Sequence, residues 1–153
     1  MDLDRTDQRI LKVLQADGRI SNRDLAERVA LSPSACLKRV RRLEQAGVIR
    51  GYLADLDLTR IRDSVTVFAE VTLERHQVTD FLRFEAELAA IPEVVEACQI
   101  SGRFDFLVTF VCRDIDHYRE LADGLLDGDS GVSTITSNIR MKVSKAFAGY
   151  PLA

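Results

Sequence analysis

Two capped amphipathic stretches with almost nothing between them constrain this chain more than any other feature. In "RISNRDLAERVALSPSACLKRV", residues 19–40, a short helix opens at Ser21, which can accept from the Asp24 backbone N–H while Asp24 reaches back. Leu25, Ala26 and Val29 form its buried stripe. The next helix starts at "LSP", where Ser32 suits the N-cap and Pro33 the first helical position, whose N–H has no intrahelical partner in any case. Gly47 closes it. Only Ala30 and Leu31 separate the two before the cap, the tight connection of a helix-turn-helix. A helix over residues 4–17 precedes them, with Asp4 as cap, Leu3 before it, Asp7, Ile10, Leu11 and Leu14 at helical spacing, and Gly18 as its stop.

Charge then gives the third helix a direction. The whole chain carries a formal net charge of -3, yet residues 38–42 hold four basic side chains. Residues 1–50 contain 11 Lys+Arg against 7 Asp+Glu, a balance of +4, and the remainder contains 10 against 17, a balance of -7. The basic part is the candidate anion binder. At about 100° per residue, Cys36, Val40 and Leu43 share one face with Leu37 at its edge, while Ser34, Lys38, Arg41, Arg42 and Gln45 project from the other and Arg39 lies on the flank. The N-terminal turns of such a helix enter the DNA major groove, which places Ser34, Ala35 and Lys38 near base edges and Arg39, Arg41 and Arg42 near phosphates or bases. Ser32 is placed at a phosphate, through its hydroxyl or the helix N-terminal amides. "GVIRGYLADLD" follows as a short strand pair or wing.

The rest of the composition excludes several classes. With 153 residues and 46% hydrophobic content, the chain has ample material for a core. No apolar run approaches the roughly 18 residues of a transmembrane helix. The start "MDLDRTDQ" lacks the basic and apolar segments of a secretory signal, so a cytoplasmic location without membrane partners is expected. Cys36, Cys98 and Cys112 are odd in number and never paired as C-x-x-C, which speaks against a disulfide framework or a zinc site and for small buried hydrophobes. His76 and His117 are the only histidines, one in a loop and one on a polar helix face, both expected to be exposed and neither beside a nucleophile or metal cluster. There is no P-loop, G-x-G-x-x-G or G-x-S-x-G, so neither catalysis nor a cofactor is expected.

From residue 65 the pattern changes to strand "VTVFAEVTLE", helix "TDFLRFEAELAAI", strands "VVEACQIS" and "FDFLVTFVC", helix "DIDHYRELADGLL" and strand "VSTITSNIRMKV". That order is βαββαβ, a ferredoxin-like (ACT-like) arrangement. The fold class is therefore α+β: a winged helix-turn-helix over 1–50, a wing and linker over 51–64, and a ferredoxin-like domain over 65–153. Strand 104–112 carries Phe104, Phe106, Val108 and Phe110 on one side and Leu107 and Val111 on the other, so both sheet faces call for burial. One domain this small has too few elements to cover both, which predicts a second copy of the chain over the free face. A two-fold dimer also presents two recognition helices about 34 Å apart, matching successive major-groove turns.

"SGRFD" holds a second candidate site. Gly102 reads equally well as a tight-turn glycine and as a functional one. Asp105 alternates with the phenylalanines, an acid beside an apolar surface that needs a cationic or N–H partner. An amino acid supplies one through its ammonium, while backbone amides at the Gly102 turn and the hydroxyls of Thr134 and Thr136 can receive its carboxylate. Both threonines also suit a strand with no further role.

Residues 19–57, "RISNRDLAERVALSPSACLKRVRRLEQAGVIRGYLADLD", resemble the winged helix-turn-helix of the Lrp/AsnC (leucine-responsive, feast/famine) transcription regulators. The resemblance includes the start at Leu3, Asp4, Asp7, Ile10 and Leu11, the segment "LSPSACLKRV", and Leu43 to Tyr52, and it continues into "SGRFDFLV", similar to that family's glycine-aspartate signature. It implies a sequence-specific regulator that binds double-stranded DNA, dimers that assemble further, often into octamers, and a small-molecule site between subunits. Gly102 and Asp105 match the signature, with Arg103 and Phe104 in its variable positions. The rival class is an effector-independent DNA-architectural protein, which would lack the roughly 10³-fold preference of a regulator for its own operator over random duplex.

Overall fold

The computed structural model describes residues 2–152. The chain divides into two compact units, one running to Asp55 and joined by the segment from Lys145 onward, the other Leu56–Ser144. The first unit holds helices α1 (Arg5–Ala16), α2 (Asn22–Arg28) and α3 (Pro33–Gln45). Each begins where its cap residue stands. The Asp7 N–H donates to Asp4 Oδ1 at 2.8 Å and the Asp4 N–H to Asp7 Oδ2 at 3.2 Å, a complete capping box. Ser21 Oγ accepts from the Asp24 N–H at 3.1 Å, and Ser32 Oγ from the Ala35 N–H at 3.3 Å. At α2 the return bond differs from the expected one, because the Asp24 carboxylate takes the Ser21 hydroxyl, at 2.7 Å, rather than its backbone N–H.

Ile10, Leu25, Ala26, Val29, Cys36 and Leu43 form the core of this unit, with Leu31 packed at its edge. The turn itself is strained at Ala30, which takes φ 57°, a left-handed conformation that glycine adopts far more readily. Asn22 ties the turn shut, its Nδ2 donating to the Pro33 carbonyl at 2.9 Å. Residues 48–57 do not form the expected strand pair. The N–H groups of Val48 and Ile49 donate to the Leu43 carbonyl at 3.0 and 3.2 Å, closing α3, and no strand occurs among the described residues 48–57. With those donors committed there is no facing strand to pair, and the segment runs out exposed, with Leu53 99% accessible.

The second unit is a four-stranded antiparallel sheet, order β2-β3-β1-β4, made of β1 (Val65–Leu73), β2 (Val94–Gln99), β3 (Phe106–Cys112) and β4 (Val132–Ile139), with α4 (Val78–Ala89) and α5 (Ile115–Asp127). This is the ferredoxin-like order that the βαββαβ pattern predicts. Val67, Ala69, Val71 and Leu73 of β1 and Phe106, Val108, Phe110 and Cys112 of β3 point to one face, where Phe84 and Leu88 of α4 and Tyr118, Ala122 and Leu125 of α5 bury them. The opposite face carries Phe68 and Thr66 of β1 against Thr109 and Val111 of β3, with Leu107 beside Glu70, and no helix of this unit packs there. Both faces of β3 are thus apolar, as its sequence requires, but the helices of this unit cover only one.

Several placements depart from the sequence reading. Phe104 and Asp105 precede β3 instead of lying in it. Cys36 and Cys112 are buried, whereas Cys98 is exposed because it pairs with Leu107 on the uncovered face. His117 is half-buried, with Nε2 at 3.5 Å from Glu93 Oε1. The segment from Lys145 belongs with the first unit rather than the ferredoxin-like domain. Its Tyr150 N–H donates to Gln15 Oε1 at 2.6 Å and Gln15 Nε2 returns to the Tyr150 carbonyl at 3.3 Å, so a side-chain amide acts as the partner strand the tail lacks.

Candidate nucleic-acid interface and effector site

Helix α3 is presented by its buried side. Cys36 and Leu43 are fully buried and Val40 packs beside them, which turns Ser34, Lys38 and Arg41 outward. Ser32 and Ser34 stand exposed at the N-terminus with their hydroxyls 3.2 Å apart, and Ala35 is half-buried behind them. Among the described residues, neither Lys38 nor Arg41 has a carboxylate partner within ion-pair distance.

Arg39 and Arg42 differ, for a reason the charge pattern did not reveal. Asp7 of α1 is fully buried, and its carboxylate accepts from Arg39 Nη1 at 2.8 Å and from Arg42 Nη2 at 2.5 Å. Arg39 Nη1 also reaches Asp4 at 2.7 Å. The Asp7 N–H and the Arg39 guanidinium hold the Asp4 carboxyl below its ordinary range, and the two aspartates in turn raise Arg39. A buried carboxylate is tolerated only when its charge and its lone pairs are matched. Two arginines of α3 supply that match here, bolting α3 to α1. The sequence signal was available: Asp7 occupies the N3 position after an Asp cap and also lies near the apolar stripe of α1, where an unpaired acid would not be tolerated.

Helix α1 carries a second basic surface that the sequence reading missed. Arg5, Arg9 and Lys12, at i, i+4 and i+7, line a shallow groove with Gln8, and none of the three has a carboxylate partner among the described residues.

In the second unit the glycine-aspartate segment forms a built corner. Gly102 takes φ 153°, a region open to glycine and scarcely to other residues, and a Cβ there would meet nothing within 4 Å, so the backbone alone demands glycine. Arg103 donates to Glu70 at 3.1 Å. The Asp105 N–H donates to the Val71 carbonyl and its own carbonyl accepts from the Ile100 N–H, both at 2.8 Å. Its carboxylate accepts from the Leu73 N–H at 2.8 Å and lies 3.2 Å from His76 Nε2. The cationic or N–H partner that Asp105 requires is therefore supplied within the chain. Thr134 pairs with Thr72 and Thr136 with Glu70, both on the sheet face no helix covers and both exposed. Neither threonine side chain bonds to Asp105 or to the Gly102 turn among the described residues.

No described helix is long and apolar enough to cross a membrane. Residues 3–50 match the family described as winged helix-turn-helix DNA-binding, and residues 66–149 match the Lrp/AsnC ligand binding domain. The chain is 42% identical over 145 residues to the transcriptional regulatory protein DoeX of Halomonas elongata, covering 95% of this chain and 92% of that one. It is likewise 42% identical over 144 residues to the leucine-responsive regulatory protein of Escherichia coli, covering 94% and 88%. A transcriptional regulator of Neisseria meningitidis, solved as a complex with L-Met, superposes with a TM-score of 0.90 at 34% identity over 99% of this chain and 97% of that one. An AsnC family transcriptional regulator from Agrobacterium tumefaciens gives 0.89 at 33% over 98% and 97%. With a basic, capped third helix in the first unit, a ferredoxin-like sheet in the second and these matches along nearly its whole length, the chain belongs to the Lrp/AsnC family of DNA-binding transcriptional regulators.

Proposed function

We propose that α3 reads its operator through Ser34, Ala35 and Lys38 at base edges, with Arg41 and Ser32 on phosphates. Arg39 and Arg42 set the pose of the helix through Asp7, and Arg42, with 48% of its side chain exposed, reaches a phosphate from that position. The observation that carries this reading is the contrast along one helix: Lys38 and Arg41 face outward with no carboxylate partner among the described residues, while Arg39 and Arg42 are held against a buried carboxylate. Binding measured by anisotropy against an operator selected from genomic DNA tests it. Lys38→Ala should cost about 1–3 kcal/mol and relax specificity at one position, and Arg41→Ala should weaken all sequences alike and lower the salt slope by about one. Equal binding of operator and random duplex by the unsubstituted protein would favour the architectural reading instead.

The second unit serves assembly and sensing. The uncovered face bearing Phe68, Leu107 and Val111 is the surface on which a second copy docks, and dimers assemble further, toward an octamer in this reading. An amino acid binds near the Gly102–Asp105 corner between subunits, its ammonium toward Asp105 and its carboxylate toward the turn amides, Thr134 and Thr136. Support comes from the leucine response named for the Escherichia coli relative and the L-Met bound by the Neisseria meningitidis protein. A cytoplasmic location fits a DNA-bound regulator. Thermal shift with each of the twenty amino acids tests the sensing role, since a ligand at 100 times its Kd adds about 2.7 kcal/mol.

A further inference from the structure

The two oxygens of Asp105 are held in unequal ways. Oδ2 accepts the Leu73 backbone N–H at the end of β1, a bond that cannot leave without opening the strand end. Oδ1 faces His76 Nε2 at 3.2 Å, and His76 stands on the loop between β1 and α4 with 61% of its side chain exposed. The Asp105 side chain is only 16% exposed, so little water reaches its oxygens. The backbone donor is permanent, and the imidazole can turn into water.

An α-amino acid would bring a compact ammonium with three N–H donors to the same oxygen. We propose that His76 is the chain's own stand-in for the effector ammonium: it faces Asp105 Oδ1 and must leave when an amino acid binds. This rests on the reading of Asp105 as the ammonium site. Two features give the displacement a consequence. The His76 ring lies 6.2 Å from that of Phe81, which in turn lies 5.8 Å from Phe106 in the core. The next residue, Gln77, starts α4 by donating its N–H to Asp80 at 3.2 Å. Departure of His76 therefore frees the loop that enters α4, and the effector competes with an internal group as well as with water.

Calorimetric titration of the full-length protein with L-leucine and L-methionine tests this in four variants. His76→Ala removes the competitor and should tighten binding about five-fold, the equivalent of one exposed ion pair. His76→Gln restores an N–H donor and should bind as the unsubstituted protein does. Asp105→Asn keeps a carbonyl oxygen for the Leu73 N–H, so it folds, and it should lose binding in either His76 background. In the unsubstituted protein the His76 side-chain ¹⁵N resonances should shift on ligand addition. Unchanged or weaker binding by His76→Ala, with Asp105→Asn still inactive, overturns the stand-in role and leaves Asp105 as the ammonium site. Binding that survives Asp105→Asn, or no binding of either amino acid to the unsubstituted protein and His76→Ala, removes the ammonium site and the proposal with it.

Discussion

Replacing Asp7 by alanine is the most informative single perturbation, because one carboxylate does three jobs. It accepts the Asp4 N–H at 3.2 Å, Arg39 at 2.8 Å and Arg42 at 2.5 Å, all from a fully buried position. Breaking a fully buried ion pair costs about 3–5 kcal/mol, chiefly through the charge left behind. Here the remaining charges belong to Arg39 and Arg42, whose side chains are 30% and 48% exposed and can turn to water, so that part of the cost is largely recovered. What stays lost is the reciprocal half of the capping box and two charge-assisted bonds, together about 2–3 kcal/mol. Urea unfolding of the first unit followed by helical circular dichroism should show that loss. An Asp7→Ala, Arg42→Ala double-mutant cycle should return a coupling of about 1 kcal/mol or more. The freed Arg42 guanidinium, with Arg39 still paired to Asp4, should also raise affinity for random duplex at low salt and steepen its salt dependence, while operator binding, which needs α3 held in one pose, falls. A change below about 0.5 kcal/mol with no coupling would refute the reasoning, since a dry carboxylate facing two arginines cannot be neutral to lose.

Three further outcomes follow from single positions. Ala30→Gly should stabilise the helix-turn-helix by up to about 1 kcal/mol in thermal or urea unfolding, and Ala30→Val should destabilise it by about 1–2 kcal/mol, because φ 57° penalises a side chain and most of all a branched one. Gly102→Ala should cost about 1–3 kcal/mol although its Cβ would meet no neighbour, and lowered stability without altered packing elsewhere in NMR spectra would confirm a backbone cause. The Asp4 carboxyl is depressed below 3.8 by the Asp7 N–H and then by Arg39, so its stabilisation is complete above that value and lost as pH falls through the folded-state pKa. Asp4→Asn should accordingly melt lower than the unsubstituted protein at neutral pH, with the gap closing in acid, and a gap constant down to the acid limit would contradict this.

Local chemistry was enough to read much of the chain. Caps at Asp4, Ser21 and Ser32, the Ala30–Leu31 turn and the apolar stripes of α1–α3 each involve residues within a few positions of one another, so their interactions are written in the spacing. The same holds for the βαββαβ order and for the double-sided apolar pattern of β3. What separated Arg39 and Arg42 from Lys38 and Arg41 lay 32 to 35 residues away, in a carboxylate that becomes buried only when α1 packs on α3. The partner of Asp105 was likewise out of reach of any pattern, because a strand end and a loop some 30 residues upstream meet it only once β1 and β3 are in register. The strand pair expected after α3 is absent for a related reason, since the Val48 and Ile49 donors that its first residues would use are claimed by the Leu43 carbonyl. Periodicity and capping determine which elements form, because both act along the chain. Which charges are free to meet DNA or a ligand was decided by tertiary structure, because a charge is spent or spared only by what folds against it.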